Sequence, residues 1–153
     1  ILGDNPHILI VDPTHPILGF SKKIEKATNE EIAYLLQKET FLVREEGSGT
    51  RILLERFLDT IGKGREFDKK EFSSNETIKQ AVMAGLGIAL ISASTVVNEI
   101  KDAGLKTLKL QNLPIIRQWF LIHLRDSNLS PTVLTFKNFL FEHKADLIPS
   151  YQK

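Results

Sequence analysis

Hydrophobic positions along the chain occur in short runs that alternate with longer amphipathic segments. Runs rich in β-branched residues predict strands, and apolar residues repeated every three or four positions predict helices. The predicted strands are 7–12, 40–44, 66–72, 87–92, 105–110 and 117–124, and the predicted helices are 28–36, 50–62, 76–84, 94–103 and 131–142. Strands that alternate with helices are typical of βαβ units. We therefore expect an α/β fold with a mainly parallel sheet.

Residues that commonly begin and end helices support several of these boundaries. Thr28 and Glu31 have the spacing of a capping box, and Ser130 precedes a proline at the first helical position. Ser94 is expected to cap the helix that follows it. We interpret Gly85 as a helix stop and Gly87 as a point of close packing, rather than as parts of a cofactor-binding loop.

Composition excludes several classes of function. The chain has 153 residues with a formal net charge of +1, so it lacks the excess of basic residues that would bind DNA or an anionic membrane by itself. It has no cysteine, which excludes disulfides, thiolate metal sites and a cysteine nucleophile. No two of its four histidines lie three to five positions apart. We expect no metal, no cofactor and no membrane association.

The loop at residues 46–50 (EGSGT) carries the most suggestive chemistry, because it follows a predicted strand and begins a predicted helix. Two glycines allow the backbone to approach a ligand closely, and the free amides of a helix start favour an anion. Ser48, Gly49 and Thr50 are therefore candidate anion-binding residues. The alternative is a turn that only begins the helix. The loop matches neither the P-loop nor the dinucleotide-binding motif.

Two further positions are candidates on similar grounds. Ser74 and Asn75 begin a second helix after a strand, and Arg117 could pair with a carboxylate or phosphate. The structural alternatives are a plain helix cap for Ser74 and Asn75 and a structural salt bridge for Arg117. If both helices begin at the carboxyl ends of strands, their starts share the edge where open α/β sheets bind ligands.

Three segments resemble a known family. Residues 41–51 (FLVREEGSGTR) resemble the start of the second lobe in the effector domain of LysR-type transcriptional regulators. Residues 73–88 (SSNETIKQAVMAGLGI) are similar to the helix–strand unit that follows there, and residues 113–119 (LPIIRQW) resemble the strand that crosses back into the first lobe. Together these segments resemble most closely the branch that regulates RuBisCO and carbon-fixation operons.

The resemblance implies a periplasmic-binding-protein-like fold of two α/β lobes with an effector between them. It implies that residues 1–39 are the end of a partial first lobe, that 40–116 are a complete second lobe, and that 117–153 are a crossing strand and a C-terminal helix returning to the first lobe. The opening residues (ILGD) suggest an excised segment. The resemblance also implies a winged helix-turn-helix at the N-terminus of the full protein.

The function implied by the resemblance is effector sensing in a cytoplasmic, DNA-binding regulator. Ser48, Gly49, Thr50, Ser74, Asn75 and Arg117 would face a small anionic metabolite, such as a phosphorylated sugar, phosphoglycolate, NADPH or 2-oxoglutarate. The two helix starts would then converge on one hollow. DNA would be bound only through the helix-turn-helix, and the protein would be a homodimer or tetramer and not an enzyme.

Two alternatives belong to other functional classes. An exported solute-binding protein could have a similar fold, and an upstream leader peptide would favour it. A small hydrolase could use Ser48 as its nucleophile, but Ser48 does not lie in a G-x-S-x-G motif and no base has a recognisable spacing from it.

Overall fold

The computed structural model describes residues 1–125 and 127–148 and shows a mixed α/β architecture. The strands are β1 (Gly3–Val11), β2 (Thr40–Arg44), β3 (Asp68–Phe72), β4 (Ala89–Ser92), β5 (Lys106–Leu108) and β6 (Ile115–Trp119). The helices are α1 (Ser21–Ile24), α2 (Asn29–Leu36), α3 (Gly49–Gly62), α4 (Asn75–Met83), α5 (Val97–Lys101) and α6 (Pro131–Leu147), with 3₁₀ turns at Pro16–Phe20 and Ala93–Thr95. The predicted α/β class is confirmed.

The strands form one layer in the order β3-β2-β4-β1, with β5 and β6 following one another along the far side of β1. β2 and β3 are parallel. A parallel bridge between Phe41 and Ile88 joins β2 to the start of β4. β1 lies at the centre and pairs with β4 on one side and with β5 and β6 on the other. This central strand therefore connects every part of the sheet.

Alternate residues of the central strands divide the core into two halves, because side chains along a strand point to opposite faces. Leu9, Val11 and Phe41 pack with α2 and α3 on one face. Ile8 and Leu42 pack with α4 on the other face. α3 and α4 therefore cover opposite faces of the sheet, although both begin at the carboxyl ends of their preceding strands.

The sheet is not mainly parallel as predicted, because β1 runs antiparallel to β4, β5 and β6. A helical crossover fixes the parallel direction only between strands that it joins, as α3 joins β2 to β3. No such crossover links β1 to its neighbours. The strand–helix alternation in the sequence therefore says nothing about the direction of β1.

The predicted strand at 117–124 is shorter in the structure. β6 ends at Trp119, which pairs with Gly3 at the start of β1. Residues 120–124 lie outside the sheet, and Ile122 is 86% exposed. The predicted strand was too long, because an apolar run alone does not show how far two strands pair.

The predicted role of Ser94 as a helix cap was also wrong. Ser94 lies within the 3₁₀ turn, and α5 begins at Val97 without a side-chain cap. The Ser94 hydroxyl instead lies 2.8 Å from the hydroxyl of Ser92. By contrast, Thr28 forms the complete predicted capping box, and Ser130 caps α6.

Residues 1–39 pack against the segment predicted as the second lobe. β1 is the central strand of the same sheet as β4 and β5, and α2 shares its core with α3. Residues 1–39 therefore share one sheet and one core with residues 40–110. α6 differs from them, since none of its residues is buried. No helix among the described residues is long and apolar enough to cross a membrane.

Candidate functional site

A cavity of about 440 Å³ lies where the β1–β6 pair meets the start of α3. We call it the β1–α3 cleft, and it is lined by Asn5, His7, Ser48, Gly49, Thr50, Ile52, Leu53, Arg56, Arg117, Gln118 and Trp119. Asn5 and His7 extend the β1 face that packs against α3, because they alternate with the buried Leu9. Arg117 of β6 is directly opposite Asn5 in the register. Four of the predicted site residues, Ser48, Gly49, Thr50 and Arg117, thus line one cleft.

The turn before α3 leaves its donors free. Gly47 has a φ of +88°, a conformation that glycine adopts without strain. Ser48 is the N-cap residue, yet its hydroxyl makes no capping hydrogen bond. The amides of Gly49 and Thr50 lie in the first turn, where a helix offers no internal acceptor. These amides and the Ser48 hydroxyl can therefore donate to a ligand in the cleft.

The charge that lines the cleft is positive. Arg56 and Arg117 both contribute to the lining, and no carboxylate does so among the described residues. Among those residues, neither guanidinium forms a salt bridge. The structural salt bridge considered for Arg117 is therefore not formed with any described residue. A cleft with cations, free amides and a hydroxyl is suited to an anion.

The carboxylate of Glu45, which directly precedes the 46–50 turn, is paired with a neighbouring cation. Both carboxylate oxygens of Glu45 accept hydrogen bonds from Arg44, each at 2.7 Å. These bonds lower the pKa of Glu45 to about 2. Arg51 likewise donates to Glu55 at 3.0 Å and to Glu71 at 2.6 Å. These pairs hold Arg44 and Arg51 in place, which leaves Arg56 and Arg117 as the cations of the cleft.

Ser74 and Asn75 do not line the cleft, although they share its sheet edge. The Ser74 hydroxyl accepts the amide of Thr77 at 3.1 Å and thereby caps α4. The Asn75 side-chain oxygen accepts a hydrogen bond from Arg44 at 3.0 Å. Because α4 packs on the opposite face from α3, the two helix starts do not share this hollow. The ligand role of Ser74 and Asn75 stays a prediction that this cavity does not support.

Sequence reasoning missed two polar residues that line the cleft, Asn5 and His7, and their neighbour Ser92. All three are buried, and the Ser92 hydroxyl donates to the Asn5 side-chain oxygen at 2.5 Å. His7 Nδ1 lies 3.1 Å from the carbonyl oxygen of Asn5. The only available signal was that Asn5 and His7 are polar residues at alternate positions beside an apolar strand. That pattern could not show that Arg117 and Ser92 lie on the neighbouring strands.

A larger cavity of about 910 Å³ lies beside α1 and α2. Its lining mixes Lys22, Lys23 and Lys26 with Glu30 and Glu31, so its cations face nearby carboxylates. We regard the smaller β1–α3 cleft as the better anion site, because the charged side chains described in its lining are all positive. Among the described residues there is no group of three or more His, Asp or Glu that could hold a metal ion.

Known proteins resemble this chain over most of its length. A family model described as LysR substrate binding domain matches residues 1–145. The HTH-type transcriptional regulator CbbR of Xanthobacter flavus is 42% identical over 149 residues, which cover 97% of this chain and 43% of that protein. The RuBisCO operon transcriptional regulator of Allochromatium vinosum is 37% identical, with coverage of 93% and 44%. The chain spans less than half the length of these relatives.

Solved structures show the same fold. The regulatory domain of CcmR from Synechocystis PCC6803, in complex with 2-PG, matches with a TM-score of 0.77 at 32% identity. The match covers 94% of this chain and 65% of that one. The effector binding domain of QuiR in complex with shikimate matches with a TM-score of 0.70 at 16% identity, covering 97% and 65%. The similarity to QuiR concerns the fold alone.

Proposed function

The chain belongs to the LysR substrate-binding domain family, and we propose that it is the effector-sensing domain of a DNA-binding transcription regulator. Relatives at 37–42% identity carry the names CbbR and RuBisCO operon transcriptional regulator. These names support the control of carbon-fixation genes as its role. They do not favour an exported solute-binding protein. For a hydrolase, Ser48 would need a base, and its hydroxyl has no hydrogen-bond partner among the described residues.

The main support for this proposal is that the charged side chains and free donors of the β1–α3 cleft all favour an anion. Gly49 and Thr50 present amides of the positive end of α3, Ser48 presents a free hydroxyl, and Arg56 and Arg117 add two cations. No described carboxylate competes for these groups. A small anionic metabolite would replace water at donors that have no other partner, which is the main source of selectivity for an anion.

The ligand class that we propose is a small phosphorylated acid. Helix N-termini bind phosphate oxygens through successive amides, and a guanidinium binds a carboxylate or phosphate through two parallel hydrogen bonds. The structural relative CcmR was solved with 2-PG. We therefore propose 2-phosphoglycolate as the first ligand to test, with one charged end at Gly49 and Thr50 and the other at Arg117.

Calorimetry with 2-phosphoglycolate tests this assignment in the longest form of the protein that its gene encodes. Arg117→Gln removes a charged guanidinium, and Ser48→Ala removes one neutral hydroxyl donor. A hydrogen bond to a charged group contributes about 1.5–3 kcal/mol, so Arg117→Gln is expected to weaken binding by about 10–100-fold. Ser48→Ala should weaken it less, since the Ser48 hydroxyl is neutral.

Arg65→Gln is the matched control, because it removes one positive charge at a site outside the cleft. Arg65 pairs loosely with Glu30 at 3.4 Å on the exposed surface. The control should bind 2-phosphoglycolate like the unmodified protein. Equal affinities for Arg117→Gln and Arg65→Gln would contradict the proposed site, because they would show that only overall charge matters.

We propose that exposed residues outside the cleft contact other parts of the full-length regulator. The exposed apolar side chains of α6, among them Phe136 at 57% and Phe139 at 46%, would pack against another lobe that this sequence does not contain. Effector binding between the lobes would change the relative population of their arrangements. In a cytoplasmic homodimer or tetramer, this change would alter how N-terminal helix-turn-helix segments hold DNA. Sedimentation of the longest form, with and without 2-phosphoglycolate, would detect the assembly.

A further inference from the structure

His7 is a buried titratable residue that opens onto the β1–α3 cleft. It is 5% exposed and lies on β1, where it pairs in register with Ser92 of β4 and Ile115 of β6. Its ring shares a sheet face with Asn5, and Asn5 is directly opposite Arg117. The ring therefore lies beside the two groups, Arg117 and the start of α3, that we propose to bind the anion.

The hydrogen bond of His7 fixes the position of its proton. Nδ1 lies 3.1 Å from the Asn5 carbonyl oxygen, which can only accept, so Nδ1 donates and Nε2 of the neutral ring carries a lone pair. Among the described residues, Nε2 has no partner, yet no buried side-chain nitrogen or oxygen there lacks one. Nε2 is therefore not fully enclosed, and the cavity that His7 lines is the β1–α3 cleft.

The charges around His7 oppose protonation when the cleft is empty. Burial lowers the pKa of His7 and Arg117 lowers it further, against the opposing effect of the hydrogen bond to Asn5. β6 contributes Arg117, α3 contributes Arg56 and the Ser48 hydroxyl, and β4 contributes the Ser92 hydroxyl. None of these groups is a carboxylate. The empty cleft therefore contains a neutral imidazole that offers a lone pair, which repels an anion.

We propose that His7 is a further ligand-binding residue, and that Nε2 takes up one proton from solvent when an anion enters the cleft. The inference rests on the proposed anion site. The imidazolium then donates from Nδ1 to Asn5 and from Nε2 to the ligand, so that each ring nitrogen has an acceptor. Binding of the anion and binding of the proton are reciprocally linked, since each favours the other.

The proposed proton uptake by His7 predicts the direction in which the affinity for the anion changes with pH. The free His7 has a lowered pKa, whereas a bound anion raises it, so affinity increases as pH falls from the pKa of the complex toward that of the free protein. The increase is at most about tenfold per pH unit, as one proton allows. Below the pKa of the free protein, His7 is protonated in both states and contributes no further increase.

Calorimetry of 2-phosphoglycolate binding at pH 7, in two buffers with different ionisation enthalpies, counts the protons taken up. The unmodified protein is expected to take up close to one proton more than His7→Gln, in the longest form that the gene encodes. The difference cancels any proton that the ligand phosphate itself gains. His123→Gln, an exposed histidine outside the cleft, should match the unmodified protein.

The outcomes separate the two proposals. Binding with the same proton uptake in His7→Gln would overturn the role of His7 but leave the anion site intact. No binding to the unmodified protein would overturn both. If His7→Gln does not fold, the nitrogen-15 shift of the His7 ring in the unmodified protein decides. A change of Nε2 to its protonated shift on adding 2-phosphoglycolate supports the proposal, and an unchanged shift at saturation overturns it.

Discussion

Among alanine substitutions at the glycines of this chain, Gly87→Ala is expected to destabilise the protein most, because its added Cβ would make the shortest contacts. Gly87 lies just before β4, beside the point where β4 joins β2. A Cβ atom there would lie 2.8 Å from Leu42 Cδ2 and closer still to the Thr40 carbonyl oxygen. Real Cβ contacts essentially never fall below 3.0 Å, so the backbone must move. The predicted close packing at Gly87 is confirmed.

The free energy of unfolding falls because this movement disturbs the link between β2 and β4. Two hydrogen bonds link β2 to the start of β4, from Leu42 to Ile88 at 2.8 Å and from Ile88 to Thr40 at 3.0 Å. Each contributes about 0.5–1.5 kcal/mol net. Overpacking of a well-filled interior costs about 1–3 kcal/mol more. Together these terms lower the free energy of unfolding by about 2–4 kcal/mol, allowing for partial retention of the two bonds.

Urea denaturation of the longest form, followed by circular dichroism, measures this change. Gly19→Ala is the matched control, because an added Cβ there meets nothing within 4 Å and Gly19 lies in an exposed 3₁₀ turn. The control should leave the free energy of unfolding within about 0.5 kcal/mol of its original value. A loss below about 1 kcal/mol for Gly87→Ala would show that β2 and β4 are not held together as described.

Three further predictions concern charges and caps. Lys79→Met should lower the free energy of unfolding by about 1–2 kcal/mol in urea, because Lys79 holds α4 to α5 through Glu99 at 2.7 Å. Glu76→Gln should cost less, since Glu76 is mostly exposed. The pKa of Glu45 is about 2 in the folded protein and 4.5 ordinarily, so its contribution to stability is present above pH 4.5 and is lost as pH falls toward 2. Arg44→Gln should reduce this loss in pH-dependent urea titrations, because the hydrogen bonds from Arg44 are the largest cause of the lowered pKa. Ser74→Ala should cost about 1 kcal/mol of stability through the lost cap and leave calorimetric affinity unchanged, whereas weaker binding would restore Ser74 to the site.

Local features of the site were predictable because they depend on neighbouring residues. The 46–50 turn contains its own glycine and hydroxyl, and it begins α3 within one residue of the predicted position. The strand before it has the predicted bounds. The residues of the turn were therefore enough to predict Ser48, Gly49 and Thr50 as binding-site candidates, without any knowledge of the sheet.

Features that depend on strand pairing were not predictable in the same way. His7 gains its significance from the β1–β6 register, which brings Asn5 opposite a residue more than a hundred positions away. The same distant pairing decides where β6 ends. The direction of β1 also escaped prediction, because a short continuous apolar run indicates a buried strand and does not fix the direction of its neighbours. The sequence pattern could suggest both helix starts, but not that α3 and α4 cover opposite faces.

A nuclear magnetic resonance titration with 2-phosphoglycolate shows whether the free amides at the start of α3 bind an anion. We expect the backbone amides of Gly49 and Thr50 to shift most, together with the side-chain resonances of Arg117. Saturating binding that moves residues of the α1–α2 cavity, and leaves Gly49 and Thr50 unchanged, would contradict it.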